Sequence, residues 1–138
     1  MVALDVFLLF VRNARILLAL RENTGYADGQ WNLPSGKVEP GEELLAAAVR
    51  EAREEVAVEI TAARLATVVH VQRPAETPRV GFFFEAESWQ GEPVNGEPHK
   101  CGGLRWVPLD ALPDNTVPYT TAGVTQYRKG TAYGHVEW

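Results

Sequence analysis

Two apolar runs open the chain. Residues 2–12 (VALDVFLLFVR) and 15–21 (RILLALR) are rich in branched and large apolar side chains, with Asn13-Ala14 between them. This pattern predicts two strands joined by a tight turn. Apolarity is nearly continuous over residues 7–11 and 16–20, so both strands are expected to be covered on both faces. Residues 22–36 (ENTGYADGQWNLPSG) are dense in Gly, Asn, Asp and Pro and read as a long loop, which in a compact domain is usually functional or disordered.

The pattern then changes period. Over residues 42–56, Leu45, Val49, Ala52 and Val56 recur at helical spacing, predicting one strong helix whose stripe faces the sheet. Gly41 precedes it, and Glu42 and Glu43 are expected in its first turn, where the helix dipole favours anions. Further strands are predicted at 66–72, 79–89 and 104–107, with turns at 74–78 and 91–98. Residues 108–112 suggest a short helical turn. Residues 117–129 fit a weaker C-terminal helix or a loop. No repeat or internal boundary is visible, so residues 1–138 are expected to form one domain.

Composition narrows the classes. The 138 residues carry 13 Lys+Arg against 18 Asp+Glu, a formal net charge of -5, which argues against a broad basic face for a nucleic-acid polymer. One cysteine excludes an internal disulfide framework and makes a reducing cytoplasm the default compartment. Asp5, Arg12 and Arg15 interrupt the apolar N-terminal stretch, which lacks a basic leader and falls short of the roughly 18–20 apolar residues needed to cross a bilayer. No membrane association is expected, and the oligomeric state is left open, a homodimer included.

Charge is concentrated rather than spread. Seven of the 18 acids fall between residues 39 and 59. Glu51, Glu54 and Glu55 lie at i, i+3 and i+4, on one helix face. Like charges at those spacings each cost about 0.2–0.5 kcal/mol, and carboxylates in the last turns oppose the helix dipole. Arg50 and Arg53 are expected to point around the cylinder, away from the trio. A divalent cation such as Mg²⁺, which takes oxygen ligands and substrate phosphates, would remove the conflict. A solvated acidic face is the alternative.

The loop before the helix favours the cation. Gly36, five residues, Glu42, seven residues, then Arg50-Glu51-Ala52-Arg53-Glu54-Glu55-Val56-Ala57-Val58 resembles the 23-residue signature of the Nudix hydrolase superfamily. Trp31-Asn32-Leu33-Pro34-Ser35 is similar to that family's W-x-L-P-G lead-in. Two positions depart: Ala57 replaces a Gly, and Ala52 is a small occupant of an aliphatic site. The resemblance implies an α/β fold, an α/β/α sandwich around a mixed sheet. It also implies hydrolysis of a nucleoside diphosphate linked to another group, with Mg²⁺ or Mn²⁺ as cofactor.

Carried over position by position, Glu51, Glu54 and Glu55 would ligate metal. Glu51 would also act as general base through a metal-bound water, and Glu54 and Arg50 would belong to the catalytic set. Glu42 and Arg50 would steady the loop and helix around Gly36, and Ser35 would lend a carbonyl to a metal, in place of the family's usual Gly. Lys37 could add positive charge at the phosphates. Residues 95–101 (NGEPHKC), followed by 104–109 (LRWVPL), are similar to a segment of MutT-like nucleoside triphosphate pyrophosphatases, which would make Glu97 a further metal ligand.

Other residues are weaker candidates. Tyr119 could stack on a base, Cys101 reads as a packing thiol, and His70 as a structural or pocket-wall residue. Trp31, Trp106, Phe82 and Phe84 read as core. The leading expectation is hydrolysis of a small nucleotide, a nucleoside triphosphate, to monophosphate and pyrophosphate. An ADP-ribose or nucleoside-diphosphate-sugar pyrophosphatase is the rival, suggested by Pro74. A ligand sensor without catalysis is the reading from another class, and it is opposed by the full set of box carboxylates.

Overall fold

The computed structural model describes residues 1–137. Strand β1 (Ala3–Leu9) carries the organising pattern. Val6, Leu8 and Phe10 belong to one buried cluster with Ala47, Ala48, Ala52 and Val56. Phe7 and Leu9 belong to a second, with Phe83, Tyr119 and Val124. Adjacent side chains on a strand point to opposite faces, so β1 is covered on both, as its continuous apolarity predicts.

The turn at Asn13-Ala14 places both residues at positive φ, 54° and 60°. It joins β2 (Val11–Arg12) to β3 (Arg15–Arg21) as an antiparallel hairpin. Such primed turns match the right-handed twist of the flanking strands. The remaining elements are β4 (Trp31–Asn32), β5 (Ser35–Lys37), α1 (Leu44–Val56), β6 (Glu59–Gln72), β7 (Arg79–Gln90), β8 (Cys101–Pro108), α2 (Pro118–Lys129) and β9 (Tyr133–Glu137).

One sheet has the order β5-β1-β7-β6-β9 and is mixed: β1 runs parallel to β7 and β6 parallel to β9, while the other pairs are antiparallel. The second sheet is antiparallel, with β3 between β2 and β4 and also bonded to β8. Helix α1 packs on the cluster at one face of the mixed sheet and α2 on the cluster at the other, giving the expected sandwich.

Several local expectations are corrected. Helix α1 begins at Leu44, and no acid occupies its first turn. Glu42 is consumed by the preceding turn, where its N–H donates to the Glu39 carbonyl (3.0 Å) and its carboxylate accepts from the Glu39 N–H (3.1 Å). The buried stripe is Ala47, Ala48, Glu51, Ala52 and Val56, while Leu45 is exposed. The sheet meets the small side chains, which allow close approach. Residues 108–112 form a turn, closed by the Ala111 N–H on the Pro108 carbonyl, and no helix.

Strand β6 starts seven residues earlier than expected, because its first half alternates small and charged residues with few large apolar ones. Strand β4 and most of β5 fall in the segment 22–36 read as loop, and β9 is an element that the hydrophobic pattern does not predict. Residues 117–129 resolve as a helix with Pro118 in its first turn and Gly130 ending it at φ 70°. Among the described residues, no helix is long and apolar enough to cross a membrane.

Helix α1 ends on Ala57 in the left-handed region (φ 57°, ψ 34°), with its N–H on the Ala52 carbonyl. This is a position glycine fills without a Cβ penalty. Ala57→Gly is expected to stabilise the fold by about 1 kcal/mol, read as a higher urea midpoint with unchanged slope.

Candidate active site

Strand β5 brings the loop to the helix. Its register sets Val6 opposite Gly36 and Phe7 opposite Ser35, with the acidic face of α1 alongside. A Cβ on Gly36 would fall 2.0 Å from Glu51 Oε1. Glycine is therefore required here by the Glu51 carboxylate and not by backbone conformation, since Gly36 and Ser35 lie outside the positive-φ positions. Ser35 is accommodated as a strand residue. Its N–H donates to Glu55 Oε2 at 2.5 Å, and its hydroxyl accepts from Asn32 Nδ2 at 3.3 Å.

One guanidinium organises the carboxylates. Arg50 donates through Nε and Nη2 to the two oxygens of Glu42 (2.8 and 2.9 Å), and through Nη1 to Glu51 (2.8 Å) and Glu54 (3.3 Å). Nη2 also donates to the Lys37 carbonyl at 3.2 Å. The expectation that Arg50 turns away from the trio is thus corrected: its long side chain folds back along the helix. Arg53 does leave, pairing with Glu59 at 2.6 Å. The Glu42–Arg50 pair joins the turn before the helix to the helix itself.

Burial and repulsion act on the acids that remain. Desolvation raises the Glu51 carboxyl to about 7 against the pull of Arg50, with Glu54 and Glu97 adding to the rise. Desolvation, then the neighbouring Glu51, holds Glu55 well above the usual carboxylate range. Hydrogen bonds from Arg50 and from the Glu39 N–H hold Glu42 down at about 2.

Two compartments share a wall. A cavity of about 490 Å³ is lined by Glu51, Glu54, Glu55, Glu97 and Cys101. A neighbouring one of about 610 Å³ is lined by Asp5, Tyr26, Arg73, Arg79 and Tyr119. Arg21, Asn32, Ser35, Gly36, Lys37 and Lys100 border both. Glu97 thus joins the box carboxylates although it lies 42 positions beyond Glu55. Among the described residues, no three His, Cys, Asp or Glu side chains close on one point tightly enough to hold an ion unaided. Arg50 and the Ser35 N–H hold their oxygens instead.

Tyr119 reaches the second compartment, but not as an open stacking face. It is 5% exposed, its ring lies 4.7 Å from Phe7, and its hydroxyl donates to Asp5 at 3.0 Å. Asp5 also receives Arg79 through two bonds of 2.9 and 2.6 Å. Tyr26 presents the more open ring, with the Arg21 guanidinium 5.3 Å from its centroid. Cys101 bonds the Gly103 carbonyl, and His70 lies outside both compartments. Asp5, Arg79, Tyr26, Asn32 and Lys100 line these compartments without having been singled out by the sequence. An acid inside a strand covered on both faces was the available signal for Asp5.

A model of the NUDIX domain matches residues 1–126. The chain belongs to the NUDIX family. A Burkholderia pseudomallei MutT NUDIX hydrolase has the same fold, with a TM-score of 0.84 and 31% identity over 91% of this chain and 98% of that one. The CTP pyrophosphohydrolase of Escherichia coli (strain K12) is 43% identical over 104 residues, 73% of each chain. A Bacillus subtilis (strain 168) protein provisionally named 8-oxo-dGTP diphosphatase is 34% identical over 100 residues, covering 72% of this chain. The match spans 64% of that relative's own length.

Replacing Arg50 tests the organisation directly. Arg50→Met leaves half-buried carboxylates without their donor and is expected to destabilise the fold by about 1–3 kcal/mol, measured by urea unfolding without divalent cations.

Proposed function

We propose that this NUDIX protein is a divalent-metal-dependent pyrophosphohydrolase that cleaves a nucleoside triphosphate, a modified or oxidised one included, to monophosphate and pyrophosphate. One observation carries the reading: an acidic compartment and a cation-rich, aromatic one meet along Ser35-Gly36-Lys37. A ligand lying across that wall would place phosphates near the acids and a base beyond it.

The donor set fits a hard cation. Four carboxylates line one cleft, two of them are pushed toward the neutral form by burial, and all offer oxygen only. Mg²⁺ characteristically takes one or two carboxylates plus water and substrate phosphates, so a cage closed by protein alone is not required. Glu51, Glu54, Glu55 and Glu97, with the Ser35 carbonyl, would hold Mg²⁺ or Mn²⁺. When bound, the ion would neutralise phosphate oxygens and lower the pKa of the attacking water.

The remaining roles fall to the chain itself. Glu51, buried in the acidic cleft, would accept the proton of the attacking water. Arg50 positions Glu51 and Glu54, and Glu42 anchors Arg50. Lys37, Arg21 and Lys100 bring positive charge to the phosphates that lie away from the acids. Tyr26 and the edge of Tyr119 bound the space for the base. The names of the Bacillus subtilis and Escherichia coli relatives, both on nucleoside triphosphates, support the triphosphate over a diphosphate sugar.

A panel of NTPs, oxidised dNTPs, ADP-ribose and sugar nucleotides with Mg²⁺ tests the reading. Pyrophosphate release from a triphosphate is expected, with loss on chelation and recovery with Mg²⁺ or Mn²⁺. Glu51→Gln should lower kcat by about 10²–10⁴-fold while circular dichroism stays unchanged. Dominant AMP release from ADP-ribose would replace this reading with the rival. Inactivity on the whole panel would favour a ligand sensor.

A further inference from the structure

Away from both compartments, two histidines meet at the sheet edge. The parallel register of β6 and β9 places His70 opposite His135. Their Nδ1 atoms face each other at 3.2 Å, with ring centroids 5.0 Å apart and planes inclined by 45°. In the metal-free protein, one Nδ1–H can donate to the other Nδ1. The same separation suits a different occupant: two nitrogens bound to one tetrahedral ion at about 2.0–2.1 Å lie about 3.3 Å apart.

The geometry points to a transition-metal site made by His70 and His135, which would clip β9 to β6. Imidazole nitrogen selects Zn²⁺, Ni²⁺ or Cu²⁺ over the hard cation suited to the carboxylates. His135 is 41% exposed by side chain, so an ion can reach the pair from solvent. Glu137 Oε1 lies 3.7 Å from His135 Nε2, the ring nitrogen that does not face His70 Nδ1. Two imidazoles are the protein donors, and water completes the coordination. The ion would fix the five-residue strand β9, which pairs in the sheet with β6 alone, so occupancy should reach the fold through that strand.

The test uses the tag-free, full-length protein with excess Mg²⁺ present to occupy the carboxylate cleft. Calorimetric titration with Zn²⁺ or Ni²⁺ should show one equivalent bound per chain and a raised melting temperature. His135→Gln and His70→Gln should each weaken that binding by at least about tenfold, with Mg²⁺-dependent hydrolysis unchanged. Electron paramagnetic resonance of one Cu²⁺ equivalent on the wild type should show coupling to two imidazole nitrogens, a readout that needs no variant to fold. Unchanged binding in both variants, absence of binding in the wild type, or a Cu²⁺ spectrum without two nitrogens would each overturn the site.

Discussion

The structure depends on a crowd of like charges that the fold places partly out of water. Desolvation drives Glu51 and Glu55 toward the neutral form, reinforced at Glu51 by Glu54 and Glu97 and at Glu55 by Glu51. A single guanidinium, that of Arg50, bonds Glu42, Glu51 and Glu54 at once. Such a partly buried pairing is weak evidence of stability, because removing charge from water offsets most of the Coulombic attraction. Its value is positional. It sets the carboxylates toward one cleft and leaves a deficit of positive charge that a divalent cation would fill.

The double-faced sheet makes that arrangement rigid. Alternate residues of β1 enter opposite cores, so the strand cannot slip by one position without reversing every buried side chain. Its antiparallel partner β5 is thereby fixed, and with it the approach of Gly36 to Glu51. The neighbouring compartment depends on the same strand, because Asp5 anchors Arg79 and Tyr119 beneath it. Acidic and basic compartments are thus two consequences of one strand's register.

What could be read from the sequence follows from how local each signal is. The covered strands β1 and β3, the hairpin turn and the helix carrying the carboxylates all have short-range signatures, and so does the glycine-to-valine pattern over 36–58. The start of α1 was misplaced because Pro40-Gly41 draws Glu42 into a turn. Strands β4 and β5 were hidden in a segment rich in Gly, Ser and Pro, and β9 because it is short and its pairing rests on backbone bonds to the distant β6. Arg50 could not be oriented from helical angle alone, since its side chain is long enough to reach around the cylinder. The second compartment was largely invisible: Asp5, Tyr26 and Arg79 come from different elements and share no spacing. Tyr119 was located, but its packing against Phe7 depends on tertiary contacts.

In the proposed function, the buried carboxylates of α1 would bind a divalent cation beside the nucleotide. Mn²⁺ binding followed by electron paramagnetic resonance, with a non-hydrolysable nucleoside triphosphate present, tests it most directly on the wild type and on Glu55→Gln. The substitution removes one charge with little change of shape. Tight Mn²⁺ binding by the wild type and a loss of at least about tenfold in the folded variant are expected. Equal Mn²⁺ affinity in the two proteins, or none in the wild type, would contradict it.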